Sequence, residues 1–298
     1  MPHHVEPGSI FSSRYVIHGV IGEGGMATVY RALDQERGAP VAIKVLRREL
    51  ARAVGAERFA REIDIASAMD HPNVVSLIDA GTSGEWLYCV MPLFEGETLR
   101  DRIDREGQLP IDDALTIADA VAQGLDYAHE KGIVHRDVKP ENILLSGENV
   151  GLADFGIARA VVQAEQGNKL TSTGIVIGTP TYMSPEQATA DKVDGRADIY
   201  ALGCVLYEML SGGEPFTAPT AQGLLARHVH DPVPDVRTVR PDVSDPIWFA
   251  IQKAMAKSPG DRFKTAGEFL SASRRPETES RGQKQGHGSW WPWRRDKQ

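Results

Sequence analysis

Hydrophobic and polar residues follow a short-period pattern in the first third of the chain. Three stretches rich in β-branched and aromatic residues, Tyr15–Ile21, Thr28–Leu33 and Val41–Leu46, are separated by turns that contain glycine or proline. Each predicts a β-strand. The same pattern predicts two further strands at Val74–Asp79 and Trp86–Met91.

Helical spacing dominates the rest of the chain. Apolar residues at this spacing predict one helix at Glu57–Met69, within the β-rich part, and a longer amphipathic helix at Asp113–Glu130. Arg196–Ser211 is apolar almost all round, which indicates a helix buried on every side. A short connection near Pro92–Gly96 separates the β-rich unit from the helical one. Two such units favour a ligand site between them.

Composition and charge narrow the class of protein. The 298 residues are 41% hydrophobic and include 41 acidic and 33 basic side chains, for a net charge of −8. These values exclude a chain that is disordered throughout and a broadly basic nucleic-acid-binding protein. No apolar stretch reaches membrane-spanning length, and the first residues lack the pattern of a secretory signal. We therefore expect a cytoplasmic location.

The two cysteines, Cys89 and Cys204, cannot form a disulfide framework and are not in a C-x-x-C pair. We interpret both as small hydrophobic residues in a reducing compartment. Trp248 and Phe249 are expected in the core of the helical unit.

The end of the chain differs from the rest in charge and composition. From Ser273 onward it has seven basic and three acidic residues, and Gly, Ser, Gln and Pro are frequent up to Trp290–Trp293. We predict a disordered extension. The alternative is weak contact with a membrane surface or a partner groove, because tryptophan beside arginine suits both.

A glycine-rich segment, Gly22-Glu23-Gly24-Gly25-Met26-Ala27, lies between the first two predicted strands. Glycine at a hairpin tip lets backbone N–H groups approach phosphates without obstruction by Cβ. A dinucleotide-binding turn leads into a helix, which this segment does not. The chain has no G-x-x-x-x-G-K-[ST] segment, which excludes a P-loop NTPase. Taken alone, the segment also fits an ordinary flexible hairpin.

Three further segments carry chemically useful side chains. Lys44 ends the motif V-A-I-K in an apolar strand. If its side chain is buried, it needs a counter-charge. The alternative is a lysine on an edge strand that points to water. The motif H-R-D-V-K-P-E-N supplies Asp137 as a possible base, Lys139 as an anion clamp and Asn142 as an oxygen ligand. A second carboxylate follows at Asp154, in D-F-G.

In this order, and with S-P-E at residues 184–186, these motifs resemble those of the eukaryotic-like Ser/Thr protein kinases, in particular the prokaryotic group. The resemblance covers about Tyr15–Leu270. It implies an α+β, bilobal protein-kinase-like fold with a small β-rich N-lobe, which holds one long helix, and a larger helical C-lobe. The expected divisions are an arm at 1–14, a kinase domain at 15–272 (N-lobe 15–91, hinge 92–96, C-lobe 97–272) and the tail at 273–298.

The resemblance also implies roles for single residues. Asp137 would orient the substrate hydroxyl and accept its proton, and Lys139 would contact the γ-phosphate of ATP. Asn142 and Asp154 would hold Mg²⁺, which prefers oxygen ligands. Lys44 would contact the α- and β-phosphates.

A glutamate from the N-lobe helix is expected to form an ion pair with Lys44. Glu62 is the first candidate because of its distance in sequence from His71-Pro72-Asn73, and Glu57 is the second. The other residues expected to bind ATP line the adenine slot (Ile21, Val29, Ala42, Met91), the hinge (the Pro92 carbonyl, the Phe94 N–H) and the phosphate loop (Gly22, Glu23, Gly24, Gly25, Met26, Ala27). Ala27 replaces the third glycine of the family's loop, a mild departure.

Regulation is implied as well. Arg136 precedes Asp137, and in the family an arginine there binds a phosphate on the activation segment, which here would be Asp154–Glu186. We expect autophosphorylation at Thr171 and Thr173; an incidental polar loop is the alternative. Lys139 and Thr179 match the Ser/Thr-specific pattern.

Six other residues are interpreted as structural. The resemblance implies an ion pair between Glu186 and Arg262. It also implies that Asp198 anchors the backbone of the catalytic loop, the H-R-D-V-K-P-E-N motif at residues 135–142. His71, His129 and His135 are interpreted as hydrogen-bonded packing residues.

The expected activity is transfer of the γ-phosphoryl group of ATP to Ser/Thr hydroxyls of proteins, with Mg²⁺. A pseudokinase scaffold and a kinase-like small-molecule phosphotransferase are the alternatives. The four residues Lys44, Asp137, Asn142 and Asp154 argue against the scaffold, and the Thr179–Glu186 segment argues against the small-molecule enzyme. Beyond ATP and protein substrates, a homodimer is a possible assembly.

Overall fold

The computed structural model describes residues 5–155 and 180–275. The strands are β1 (Ile10–Phe11), β2 (Tyr15–Glu23), β3 (Ala27–Asp34), β4 (Ala39–Leu46), β5 (Asp79–Ser83), β6 (Trp86–Pro92), β7 (Glu97–Thr98), β8 (Ile143–Ser146) and β9 (Asn149–Leu152). The α-helices are α1 (Arg48–Val54), α2 (Ala56–Ser67), α3 (Leu99–Glu106), α4 (Ile111–Glu130), α5 (Pro185–Ala188), α6 (Arg196–Ser211), α7 (Ala221–His230), α8 (Asp245–Ala254) and α9 (Ala266–Ser273).

The first part of the chain forms one antiparallel sheet in the strand order β1-β2-β3-β4-β6-β5. Its strand β4 is apolar on both faces. Ile43 packs on one face, whereas Ala42 and Leu46 pack on the other with Phe59 of α2. Because side chains alternate between the faces of a strand, Lys44 lies on the same face as Ala42 and Leu46. The sheet thus directs one cation towards the space between the lobes. Strand β1 belongs to the segment expected as the N-terminal arm (residues 1–14), so the sheet includes part of that arm.

The helix expected at Glu57–Met69 corresponds to α2. A second, shorter helix, α1, precedes it and was not predicted from the apolar pattern. Leu50, Ala51 and Val54 of α1 are buried at helical spacing and pack in the same cluster as α2. A seven-residue helix is too short for a clear periodic signal.

The strand expected at Val74–Asp79 is wrong for most of its length. β5 begins at Asp79, and the residues before it form a loop that joins α2 to β5 and packs against the C-lobe. Val74 makes a single parallel bridge to Leu152, and the N–H of Val75 donates to the Leu152 carbonyl at 2.9 Å. These apolar β-branched residues are therefore held by one edge of the C-lobe.

The C-lobe is built around α4 and α6. From Ala197 to Leu210 every residue of α6 is buried, which confirms the helix expected to be covered on all sides. Trp248 is buried as expected, but Phe249 is 39% exposed, so its expected place in the core is wrong. Phe249 and Trp248 are consecutive residues of α8, and the two side chains point in directions about 100° apart around its axis. Among the described residues, no helix is long and apolar enough to cross a membrane.

The segment that joins the lobes runs against a small sheet, β7-β8-β9. A Cβ at Gly96 would lie 1.9 Å from the Leu145 carbonyl oxygen. Only glycine therefore allows the connection to pass this close to β8. Asn142 directly precedes β8, and Asp154 comes shortly after β9. The β8–β9 hairpin therefore positions both residues.

Candidate active site

Lys44 of the N-lobe and Asp154 of the C-lobe form an ion pair through Nζ and Oδ2. Their side chains are only 16% and 15% exposed. Burial lowers the pKa of Lys44, but the Asp154 carboxylate more than reverses this, so the net shift is upward. Burial likewise raises the pKa of Asp154, and Lys44 brings it below its ordinary value. Both groups are charged at neutral pH.

Cys89 lies opposite Lys44 on the neighbouring strand β6. Its side chain is fully buried, and burial raises the pKa of the thiol to about 12. The thiol beside Lys44 is therefore neutral and packs as a small hydrophobic group. Cys204 is buried as well, so the interpretation of both cysteines as small hydrophobic residues agrees with the structure.

The segment from Asp137 to Asn142 gathers three functional groups at the opening of the C-lobe. Lys139 Nζ donates to Asp137 Oδ2 at 2.8 Å. Asn142 Nδ2 donates to the Asp137 carbonyl at 2.8 Å and to its Oδ2 at 3.2 Å. These bonds turn the amide nitrogen of Asn142 towards Asp137 and its Oδ1 away from it. The Asp137 side chain is 32% exposed, so it is open to a substrate.

Asp198 of α6 fixes the start of this segment. Its Oδ2 accepts the backbone N–H of His135 at 2.8 Å, and its Oδ1 accepts that of Arg136 at 2.7 Å. His129 Nε2 lies 2.8 Å from the same Oδ2. The expected anchoring role of Asp198 is thus seen directly. Burial lowers the pKa of His129, and the hydrogen bond to Asp198 raises it above its ordinary value.

His135 links the catalytic loop to the Asp154 segment. Its Nε2 contacts the Ala153 carbonyl at 2.8 Å, and its ring meets Phe155 edge to face with centroids 4.5 Å apart. The backbone of Asp154 is left-handed, with φ of 73°. Such a conformation is costly for a non-glycine residue and persists where surrounding contacts hold it. His135 is therefore a packing residue, as expected, that helps to place Asp154.

The glycine-rich segment lies at the tip of the β2–β3 hairpin, as expected, where the N–H of Gly24 donates to the Ala27 carbonyl at 3.0 Å. The register places Val29 opposite Lys44, and Ala42 opposite Met91. These four side chains consequently share the cleft face of the sheet.

The other expected nucleotide contacts lie around this face. Ile21 is 52% exposed at the mouth of the cleft, Pro92 ends β6, and Phe94 follows in the connection between the lobes. Gly22, Glu23, Gly25 and Met26 complete the loop tip.

Glu186 and Arg262 form a two-pronged ion pair with both oxygen–nitrogen distances at 2.7 Å. Arg262 is completely buried, and Glu186 is 6% exposed. The pair expected from the sequence is present, and it fixes α5 beneath the site.

Two groups of polar contacts near the site have no signal in the sequence. Arg100 donates to Tyr182 Oη at 2.8 Å and to Glu208 at 2.7 Å, and Tyr182 Oη donates to Glu208 at 2.6 Å. Gln187 bridges to the catalytic loop. No motif indicates either contact, because the partners are far apart in the sequence.

Some expected site residues lie outside the described part of the chain. They are Thr171, Thr173 and Thr179 and the side chain of Glu62. The ion pair that the structure describes for Lys44 is the one with Asp154.

A β-rich lobe with one cleft-facing lysine, above a helical lobe with a paired aspartate and asparagine, is the architecture of a protein kinase. The family model of the protein kinase domain matches residues 15–272. The chain therefore belongs to the protein kinase family, within the eukaryotic-like Ser/Thr kinases of prokaryotes. The expected α+β bilobal fold is confirmed.

Individual relatives agree with this assignment. The chain is 43% identical over 268 residues to serine/threonine-protein kinase PknB of Mycobacterium tuberculosis, which covers 88% of this chain and 42% of PknB. It is 41% identical over 281 residues to PknJ of the same organism, covering 92% of this chain and 47% of PknJ. The crystal structure of the M. tuberculosis PknI kinase domain has a TM-score of 0.73 and 29% identity, covering 91% of this chain and 98% of that domain. The chain thus spans less than half the length of PknB or PknJ.

Proposed function

We propose that this chain is an ATP-dependent protein serine/threonine kinase. The observation that carries the proposal is the convergence of Lys44 and Asp154 with the Asp137–Asn142 segment at one opening between two lobes. Protein kinases use these residue types to bind ATP phosphates, hold a divalent metal and orient a hydroxyl. A scaffold without activity has no need of all of them together.

The donor chemistry of the cleft fits magnesium bound with a nucleotide. Asp154 offers a carboxylate, and Asn142 has its Oδ1 directed away from Asp137. Within residues 5–155 and 180–275, His, Cys, Asp and Glu form no cluster of three or more that could hold a metal. Two protein oxygens completed by phosphates and water suit Mg²⁺. Asn142 and Asp154 would hold the ion, which supplies charge neutralisation at the phosphates.

The protein's own residues supply position and charge. Lys44 remains cationic in its buried site and would pair with phosphate oxygens. Lys139 already lies 2.8 Å from Asp137, so it can reach both the carboxylate and a transferred phosphoryl group. Asp137 would accept the proton of the substrate hydroxyl as the new P–O bond forms and the bond to the leaving ADP breaks. Catalysis is then mostly orientation and charge stabilisation.

A peptide-library assay tests the activity and its acceptor class. Three matched libraries with a central Ser, Thr or Tyr are incubated with [γ-³²P]ATP and Mg²⁺. We expect label in the Ser and Thr libraries, and a drop of about a thousandfold for Asp137→Asn with nucleotide binding retained. Equal labelling by the variant, label in the Tyr library alone, or no label in any of the three libraries would refute the proposal.

Autophosphorylation of Thr171 and Thr173 is part of the proposal. Its support is the place of Arg136, directly before Asp137 in the catalytic loop, where a guanidinium can bind a phosphate in two-pronged fashion. Phosphopeptide mass spectrometry of the active protein tests it. An active enzyme with no phosphate across residues 165–175 would refute it.

A cytoplasmic location, with a tail that binds no membrane, is also proposed. The support for the location is the pair of free, buried cysteines, which suits a reducing compartment, and the support for the tail is its composition, which is typical of a disordered segment. Cosedimentation with anionic liposomes should be equal for the full chain and for one that ends at Ala272. Stronger binding of the full chain would favour membrane contact instead.

A further inference from the structure

Both ends of the Gln187 side-chain amide are used, and they face different parts of the chain. Oε1 accepts the backbone N–H and the hydroxyl of Ser184, each at 3.1 Å, at the start of α5. Nε2 donates to the backbone carbonyl of Arg136 at 2.9 Å. One side chain therefore joins α5 to the peptide group directly before Asp137.

That peptide group follows an unusual backbone conformation. Arg136 has φ of 68°, in the left-handed region that non-glycine residues rarely adopt. Its N–H donates to Asp198 and its carbonyl accepts from Gln187. Two side chains from separate helices thus hold Arg136 on both sides, and the direction of its carbonyl sets where the chain enters Asp137.

The backbone at Gln187 is held in place through the neighbouring residue. The neighbouring Glu186 is bound by Arg262, whose guanidinium also donates to the carbonyls of Ala256 and Arg196. The helix α5 is consequently attached to the C-lobe core one residue before Gln187. The side-chain amide of Gln187 is thereby held within hydrogen-bond distance of the catalytic loop.

The geometry points to Gln187 as a positioning residue for catalysis, which acts through the Arg136 carbonyl on the orientation of Asp137. This inference deepens the proposed kinase function and rests on it. The side-chain hydrogen bonds described for Gln187 go to Ser184 and Arg136, and none of them goes to a nucleotide-binding residue or to the Asp137 side chain. Its removal should therefore lower kcat and leave the KM for ATP unchanged, because the cleft that binds ATP is not altered.

The variant Gln187→Glu separates the two roles of the amide. A carboxylate can still accept both Ser184 groups, so α5 keeps its N-terminal contacts. It cannot donate to the Arg136 carbonyl, and two acceptor oxygens then face each other. We expect kcat to fall about tenfold, since small misplacement of a reacting group is costly, with the KM for ATP within about twofold of wild type. Gln187→Ala loses both contacts and should lower kcat at least as much.

Gln108→Glu is the matched control. Gln108 also donates its amide nitrogen to backbone carbonyls of the C-lobe, those of Ser211 and Val239 at 3.3 and 3.4 Å. It lies in the connection between α3 and α4, away from the catalytic loop, so the same change should leave kcat within about twofold. Peptide phosphorylation by all three variants and wild type, with active sites counted by titration, gives kcat and KM separately.

Hydrogen exchange supplies a readout that does not depend on activity. In Gln187→Glu, the backbone amides of Arg136 and Asp137 should exchange at least about fivefold faster than in wild type and in Gln108→Glu. A kcat for Gln187→Glu within twofold of wild type, or unchanged exchange at both amides, overturns the inference. If wild type phosphorylates no peptide, the proposed function fails, and the exchange result alone decides whether Gln187 holds the loop.

Discussion

Lys44 and Asp154 are 110 positions apart in the chain and form a direct ion pair between the two lobes. Each charge would be costly to bury alone, and each shifts the pKa of the other towards its charged form. The pair keeps a cation and a carboxylate together at the place where a nucleotide and its metal would bind. When nucleotide and metal bind, phosphate oxygens can take the place of Asp154 beside Lys44, and the metal can take the place of Lys44 beside Asp154.

Lys44→Met is expected to weaken binding of a non-hydrolysable ATP analogue by at least about tenfold, because the buried cation is lost. The variant also leaves the Asp154 carboxylate without its partner, which raises the pKa of that group. Calorimetric titration measures the affinity. Lys264→Met, at an exposed lysine in the C-lobe, should bind like wild type, and equal weakening in both variants would contradict a specific role for Lys44.

The motif residues could be predicted from the sequence because short-range geometry places them. Asp137, Lys139 and Asn142 lie within six positions of one another and meet through local hydrogen bonds. Lys44 follows from strand alternation, since its neighbours Ala42 and Leu46 pack on the same face. The fold class, α6 and the Glu186–Arg262 pair followed in the same way from pattern and resemblance.

The remaining contacts depend on tertiary packing, which sequence pattern does not report. The run at Val74–Asp79 has the composition of a strand, yet its first residues pair with Leu152 at the edge of the C-lobe and not with the N-lobe sheet. Phe249 is apolar but lies on the exposed side of α8. Gln187 and Arg100 join segments that no periodicity relates, so the structure was needed to find them.

The Glu186–Arg262 pair should behave as a buried ion pair. Glu186→Gln or Arg262→Leu leaves one buried group uncompensated and is expected to lower the free energy of unfolding by about 3–5 kcal/mol. Urea denaturation measures it. Loss of the half-exposed pair between Arg196 and Asp194 through Asp194→Asn should cost at most about 1 kcal/mol. A similar loss in the free energy of unfolding at both pairs would contradict a special contribution of the buried Arg262 to stability.

His228 predicts an acid-sensitive stability. It is fully buried beside Tyr200, whose hydroxyl lies 2.9 Å from Nδ1, and burial together with nearby Lys257 lowers its pKa from 6.5 to about 4. Between these values the unfolded chain binds more protons than the folded one. The free energy of unfolding should therefore rise with pH across this window, by up to about 3 kcal/mol.

Urea denaturation of wild type and His228→Gln between pH 4 and 7 measures this contribution. The variant should show a smaller rise in the free energy of unfolding from pH 4 to 6.5. An equal rise in both proteins would show that other groups cause the acid sensitivity.

Magnesium-dependent nucleotide binding tests the central claim most directly. The folded protein is titrated calorimetrically with a non-hydrolysable ATP analogue, once with Mg²⁺ and once with EDTA, and the experiment is repeated with Asp154→Asn. The account predicts that Mg²⁺ tightens binding to wild type at least about tenfold and that Asp154→Asn loses this gain. Binding by well-folded wild type that is absent, or the same with and without Mg²⁺, would contradict it.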